Sequence, residues 1–272
     1  MSATYVHGYD PRENERLHDQ AGALVDLLHS GTAYPAGSSV LEVGCGVGAQ
    51  TVTLAQRSPG ARFTSVDVSA ESLAAARQRV ADAGVANVEL READIFALPF
   101  GAASFDHIFV CFVLEHLAEP VEALVILNNL TRPGGTITVI EGDHGSAYFY
   151  PESTAADAAI GCLVELQRRG GGNGLVGRQL YPLMNMAGLD AVSISPRMVY
   201  VDGYRPGLSE AFTRKTFTAM IEGVRAQAIA AGLSSAAAFD AGIADLYRAA
   251  EADGVFCYTF FKGVSTKRGS VP

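Results

Sequence analysis

The chain has 272 residues, 49% of them hydrophobic and 18% charged, with a formal net charge of −9. That length and composition specify a folded chain with a substantial core, not a disordered one. The acidic balance argues against nucleic acid and anionic membrane surfaces as partners, and no apolar run reaches the roughly 18–20 residues of a membrane helix. The polar opening MSATYVHGYDPRENERLHDQ lacks the basic-then-apolar order of a signal peptide. Cys45, Cys111, Cys162 and Cys257 form no C-x-x-C pair, so neither a zinc site nor a disulfide framework is signalled. Reduced thiols and a cytoplasmic location are expected.

In chain order, Leu17, Ala21, Leu24, Val25 and Leu28 recur at helical spacing until Gly31 ends the pattern. A regular alternation follows. SSVLEVG reads as a buried strand, GAQTVTLAQRS as a helix, ARFTSVDVS as a strand, and AESLAAARQRVADAG as a helix ending at Gly84. ANVELREAD and SFDHIFVCF are strands, EPVEALVILNNLT a helix, RPGG a turn and TITVIEG a strand. Strands with helices between them imply a parallel sheet covered on both faces. Beyond residue 145, residues 152–169 and 177–187 read as helices separated by GGGNG, and DAVSISPRMVYV as a strand. Leu208, Phe212, Met220, Val224 and Ala228 form a helical stripe, residues 234–252 are helical, and GVFCYTFFKGV is a last strand. The expected organisation is one α/β domain: residues 1–37 a helical lid, 38–145 a ligand-binding core, and 146–272 a helical cap with the last two strands.

The stretch VLEVGCGVGAQT runs from a strand through Gly44, Gly46 and Gly48 into a helix. In a doubly wound sheet, ligands bind beyond the carboxyl ends of the strands. With Ala49, the stretch also satisfies the dinucleotide fingerprint, and Asp67 follows about 20 residues on, where a carboxylate would take a ribose hydroxyl pair. Glu42, two residues before the first glycine, would repel a pyrophosphate but suits a cationic or zwitterionic ligand. Asp94, ending VELREAD, would accept from an exocyclic amine such as that of adenine.

This ensemble resembles the class I S-adenosylmethionine-dependent methyltransferases, over roughly residues 38–142. The resemblance implies a seven-stranded, mostly parallel Rossmann-like sheet whose last strand is antiparallel. It implies S-adenosylmethionine as cofactor, with Glu42, Gly44, Gly46 and Gly48 cradling its methionine and ribose. Asp67 with Val68 would hold the ribose, Asp94 with Ile95 the adenine, and Cys111 would line the site at the end of the fourth strand. Tyr9 lies where the fold closes a lid over its cofactor. Glu115 and His116, just past the fourth strand, and Glu141 and His144, just past the fifth, are the candidates for catalysis, with His144 and Glu141 first because a neutral imidazole suits proton removal near neutral pH. Plain readings stand beside these: Asp67 and Asp94 as helix caps, Glu115 and His116 as a solvated helix start, Asp143 as turn chemistry, and the Leu208–Val224 stripe as core. The expected substrate is a small molecule, aromatic or heterocyclic, methylated on carbon, nitrogen or oxygen. The rivals are a nicotinamide oxidoreductase, a cofactor-binding regulator without activity, and a metal-dependent methyltransferase using Asp143 and His144.

Overall fold

The computed structural model describes residues 24–269; the lead-in residues 1–23, with Tyr9, lie outside them. Residues 24–29 are helical. The central sheet is built from β1 (Ser39–Val43), β2 (Arg62–Asp67), β3 (Val88–Glu92), β4 (Phe105–Cys111), β5 (Thr131–Gly142), β6 (Tyr148–Tyr150), β7 (Ser193–Val201) and β8 (Val255–Thr266). The order is β3-β2-β1-β4-β5-β8, with β7 on the far edge of β8. Strands β1 to β5 pair in parallel, whereas β8 runs antiparallel to both β5 and β7.

The eighth strand is an addition to the seven expected. β6 is three residues long and pairs with Val255–Cys257 of β8, while β5 pairs with Phe260–Thr266. Since β7 occupies the other edge of β8, β6 continues the line of β5 after a break at residues 143–147. The RPGG turn also differs from expectation. It lies within β5, where Phe105 pairs with Thr131 and His107 with Thr136, so residues 132–135 bulge out of the ladder.

Both faces of the sheet are covered. Along β4, Phe109 and Cys111 enter one core while Ile108 and Val110 enter the other, as the period-2 alternation of a strand requires. The helices α1 (Ala49–Arg57), α2 (Ala70–Asp82) and α3 (Pro120–Leu130) are the crossovers between parallel strands. Ser69 caps α2, and its side chain accepts from the Ser72 amide. α4 (Thr154–Arg169) and α5 (Leu180–Met186) lie between β6 and β7, capped at the first by Ser153.

Between β7 and β8, the helical pieces Pro206–Leu208, Ser209–Thr218, α6 (Ala219–Gly223), α7 (Arg225–Ala230) and α8 (Ala236–Arg248) fold over the end of β8. Ser209–Thr218 is wound as a π-helix, whose i→i+5 bonding brings Phe212 and Phe217 onto one side. Both rings pack on Phe256 and Tyr258. The stripe through Phe212, Met220, Val224 and Ala228 is core.

Candidate active site

The crossover from β1 to α1 is made of glycines because the backbone there is left-handed. Gly44, Gly46 and Gly48 have φ of +72°, +51° and +78°, values that an L side chain adopts only at a cost. Two of them also have no room for a side chain. A Cβ on Gly44 would stand 2.3 Å from Val113 Cγ2, and one on Gly48 would stand 3.1 Å from Ala76. Gly46 faces open space. The Gly44 and Cys45 amides donate to the Val66 carbonyl at 2.8 and 3.0 Å, which fixes the loop to the end of β2.

Asp67 completes that attachment. Its Oδ2 accepts from the Gly46 amide at 2.8 Å and its Oδ1 from the Ser69 amide at 2.9 Å. Val68 beside it is exposed. Asp94 is exposed beyond β3 and accepts from the Phe96 amide at 2.9 Å, capping the short turn Ile95–Ala97, while Ile95 is buried. Cys111 is buried at the end of β4, and burial pushes its thiol well up. Asp67, Val68, Asp94, Ile95, Cys111 and the glycines therefore gather at the carboxyl ends of the first four strands. Glu42 lies beneath this rim. It faces its register partner Ser65 on β2, whose hydroxyl donates to Oε2 at 2.7 Å. Burial pushes the Glu42 carboxyl up to about 7 against the opposing pull of the Ser65 bond.

A second cluster lies past β4 and β5. Glu141 is fully buried, and its Oε1 accepts from the Val113 and Leu114 amides at 3.0 and 2.8 Å. It clamps the turn that carries Glu115 and His116. Burial, reinforced by nearby Glu115, holds the Glu141 carboxyl well above the usual carboxylate range. His144 is buried too. Its Nδ1 is 2.9 Å from the Tyr258 hydroxyl, and its Nε2 lies 3.4 Å from Glu115 Oε2, in ion-pair range without hydrogen-bond alignment. Glu115 Oε1 lies 3.5 Å from His116 Nε2, and Gln167 Nε2 donates to Glu115 Oε2 at 3.3 Å. Asp143 turns away and takes a bidentate pair from Arg178 at 2.7 and 2.9 Å. Among the described residues, no group of three or more His, Cys, Asp or Glu could hold a metal ion.

Tyr258 and Gln167 were not among the candidates read from the sequence. Gln167 carries a weak signal, since it continues the stripe Ala156, Ile160, Leu163 of α4 at a position where an apolar residue is expected. The GGGNG stretch is also part of this cluster. The Asn173 amide donates to the Glu115 carbonyl at 2.7 Å and the His144 amide to the Gly174 carbonyl at 2.9 Å. A Cβ on Gly172 would meet the Glu115 carbonyl oxygen at 2.4 Å, so glycine permits this approach of two backbones.

Residues 41–139 match the model of a methyltransferase domain. The match runs from β1 into β5 and marks that stretch, well under half of the chain, as similar to a methyltransferase domain. It is 31% identical over 145 residues to methyltransferase GfsG of Streptomyces halstedii, covering 52% of each chain. It is 34% identical over 102 residues to a demethylmenaquinone methyltransferase of Thermus thermophilus, covering 38% of this chain and 46% of that one. The chain spans about half the length of these curated relatives. Among solved structures, the [4+2]-cyclase SpnF superposes with a TM-score of 0.59 at 19% identity over 92% of this chain and 82% of its own. The YcgJ protein of Bacillus subtilis does so with a TM-score of 0.56 at 17% identity over 92% and 99%. These likenesses establish the Rossmann-like fold of the chain.

Proposed function

We propose that the protein transfers a methyl group from S-adenosylmethionine to a small-molecule acceptor, in the cytoplasm, and that the acceptor is an aromatic or heterocyclic metabolite. The observation that carries this reading is the left-handed glycine loop tied by Gly46 to Asp67 at the carboxyl rim of the sheet. In it, half-buried backbone at Gly44 and Gly46 and a half-buried carboxylate suit a ligand with ribose hydroxyls and no phosphate. Gly44, Gly46 and Gly48 would hold the methionyl end, Asp67 and Val68 the ribose, and Asp94 and Ile95 the adenine. When bound, the sulfonium supplies an activated methyl group on a neutral leaving group. The protein's part is then to align the acceptor and exclude water. The net charge of −9 argues against nucleic acid as acceptor. An aromatic acceptor is favoured by relatives named for demethylmenaquinone methylation and for ubiquinone-biosynthetic O-methylation.

Calorimetric titration with S-adenosylhomocysteine and, separately, with NADH tests the reading. Saturable binding of the first and none of the second is expected. Binding of NADH with none of the sulfur nucleoside would overturn it.

A further inference from the structure

Around Glu115, three buried polar atoms have no hydrogen-bond partner among the described residues: Glu141 Oε2, His144 Nε2 and Gln167 Oε1. Leaving such groups unmade is costly, so a site that keeps several together is built to receive something polar. They belong to different elements. Glu141 ends β5, His144 follows it, Gln167 is on α4, and Tyr258 of β8 approaches His144 from the opposite side. Of these five residues Glu115 is the least enclosed, at 9% exposed against none for Glu141, 4% for His144, 2% for Tyr258 and 1% for Gln167.

The roles separate by geometry. Glu141 spends Oε1 on two backbone amides and so fixes the turn 113–115. Val113 of that turn packs directly on Gly44, so the turn's position is set relative to the glycine loop. A Tyr258 hydroxyl donating to His144 Nδ1 leaves the imidazole proton on Nε2, facing Glu115. Gln167 donates to the same carboxylate oxygen, and His116 stands beside the other. Glu115 is thus a carboxylate oriented by two imidazoles and an amide. The other acid of the loop, Asp143, is held aside by Arg178.

Resting on the methyl-transfer reading, we infer that Glu115 accepts the proton of a phenol- or enol-type hydroxyl on the acceptor, with His144, Tyr258 and Gln167 as positioning residues. A neutral amine attacks through its lone pair and needs no base in the transfer itself, whereas a hydroxyl of this kind becomes a strong nucleophile only on losing its proton. The balance is simple. One proton passes from the hydroxyl oxygen to the carboxylate. The acceptor anion then forms its bond to the methyl carbon as the carbon–sulfur bond breaks, leaving the electron pair on sulfur.

The test uses the full chain saturated with S-adenosylhomocysteine and 4-nitrophenol as probe, read by the visible absorption of the nitrophenolate. Bound probe is expected to ionise at a pH where free probe is protonated. In Glu115→Gln this ionisation should shift upward by one pH unit or more, a tenfold or larger loss in acidity, and in Tyr258→Phe by a smaller amount, with S-adenosylhomocysteine affinity preserved in both. A probe that binds without ionising, that ionises equally in Glu115→Gln, or that fails to bind the saturated protein would overturn the inference and leave the methyl-transfer reading standing. Failure of S-adenosylhomocysteine itself to bind would instead overturn that reading.

Discussion

The carboxylate of Asp67 holds the amide of Gly46 at 2.8 Å, joining the end of the second strand to the middle of the glycine loop. The same residue is therefore a support of the loop and the proposed ribose contact. Replacement by alanine should weaken S-adenosylhomocysteine binding by about 1–3 kcal/mol through lost charge-assisted bonds. Calorimetry on Asp67→Ala measures this, and an unchanged affinity would remove Asp67 from the cofactor site.

Gly44 is constrained twice, by its φ of +72° and by Val113 Cγ2. Gly44→Ala should lose about 3 kcal/mol of stability, from left-handed strain plus overpacking. Adding Val113→Ala removes the collision, so the double variant should lose less stability than the sum of the two single variants. A denaturant-unfolding cycle reads the coupling, and strict additivity of the two losses would contradict the contact.

Glu42 predicts an unusual pH dependence. Its carboxyl titrates near 7 in the folded chain against 4.5 for the ordinary group. The folded state thus holds this proton more tightly than the unfolded state. Its contribution is fully present below the ordinary value and is lost as pH rises toward 7, by about 3 kcal/mol in all. Glu42→Gln should lack this component. The difference in unfolding free energy between the two proteins, followed from pH 4 to 8, should move in favour of the glutamine variant as pH rises; a flat difference would mean that Glu42 binds its proton equally in the folded and unfolded chains.

Gly172, beside the acid–imidazole cluster, and Gly161, on the outer face of α4, should behave oppositely. A methyl group on Gly172 would press on the Glu115 carbonyl, so Gly172→Ala should cost about 1–3 kcal/mol. Gly161 is exposed within α4, and a Cβ there would meet nothing within 4 Å, so Gly161→Ala should gain up to about 1 kcal/mol. Urea midpoints at constant slope compare the pair, and equal shifts would show that the close approach at Gly172 is not limiting.

The first half of the fold was readable because its parallel strands and crossover helices are local and strongly patterned. Val40 to Val43 and Ile108 to Cys111 are buried on both faces, and the glycine spacing marks the loop between strand and helix. The π winding of Ser209–Thr218 was hidden, since Phe212 and Phe217 fit a helical stripe only when the i→i+5 period is admitted. The RPGG bulge was hidden because its turn chemistry says nothing of the ladder resuming at Thr136. For the second cluster, Glu115, Glu141 and His144 were legible as polar residues at strand ends. Tyr258 and Gln167 were not, because their partners lie 114 and 52 residues away.

That long reach of β8 has a consequence for biogenesis. On a ribosome, the glycine loop and Asp67 are synthesised early, yet His144 waits for Tyr258 until residues 255–266 have emerged and paired alongside β5. On the proposed reading, the proton-handling centre is therefore the part of the site completed last, and a chain ending before β8 would lack the Tyr258 partner of His144.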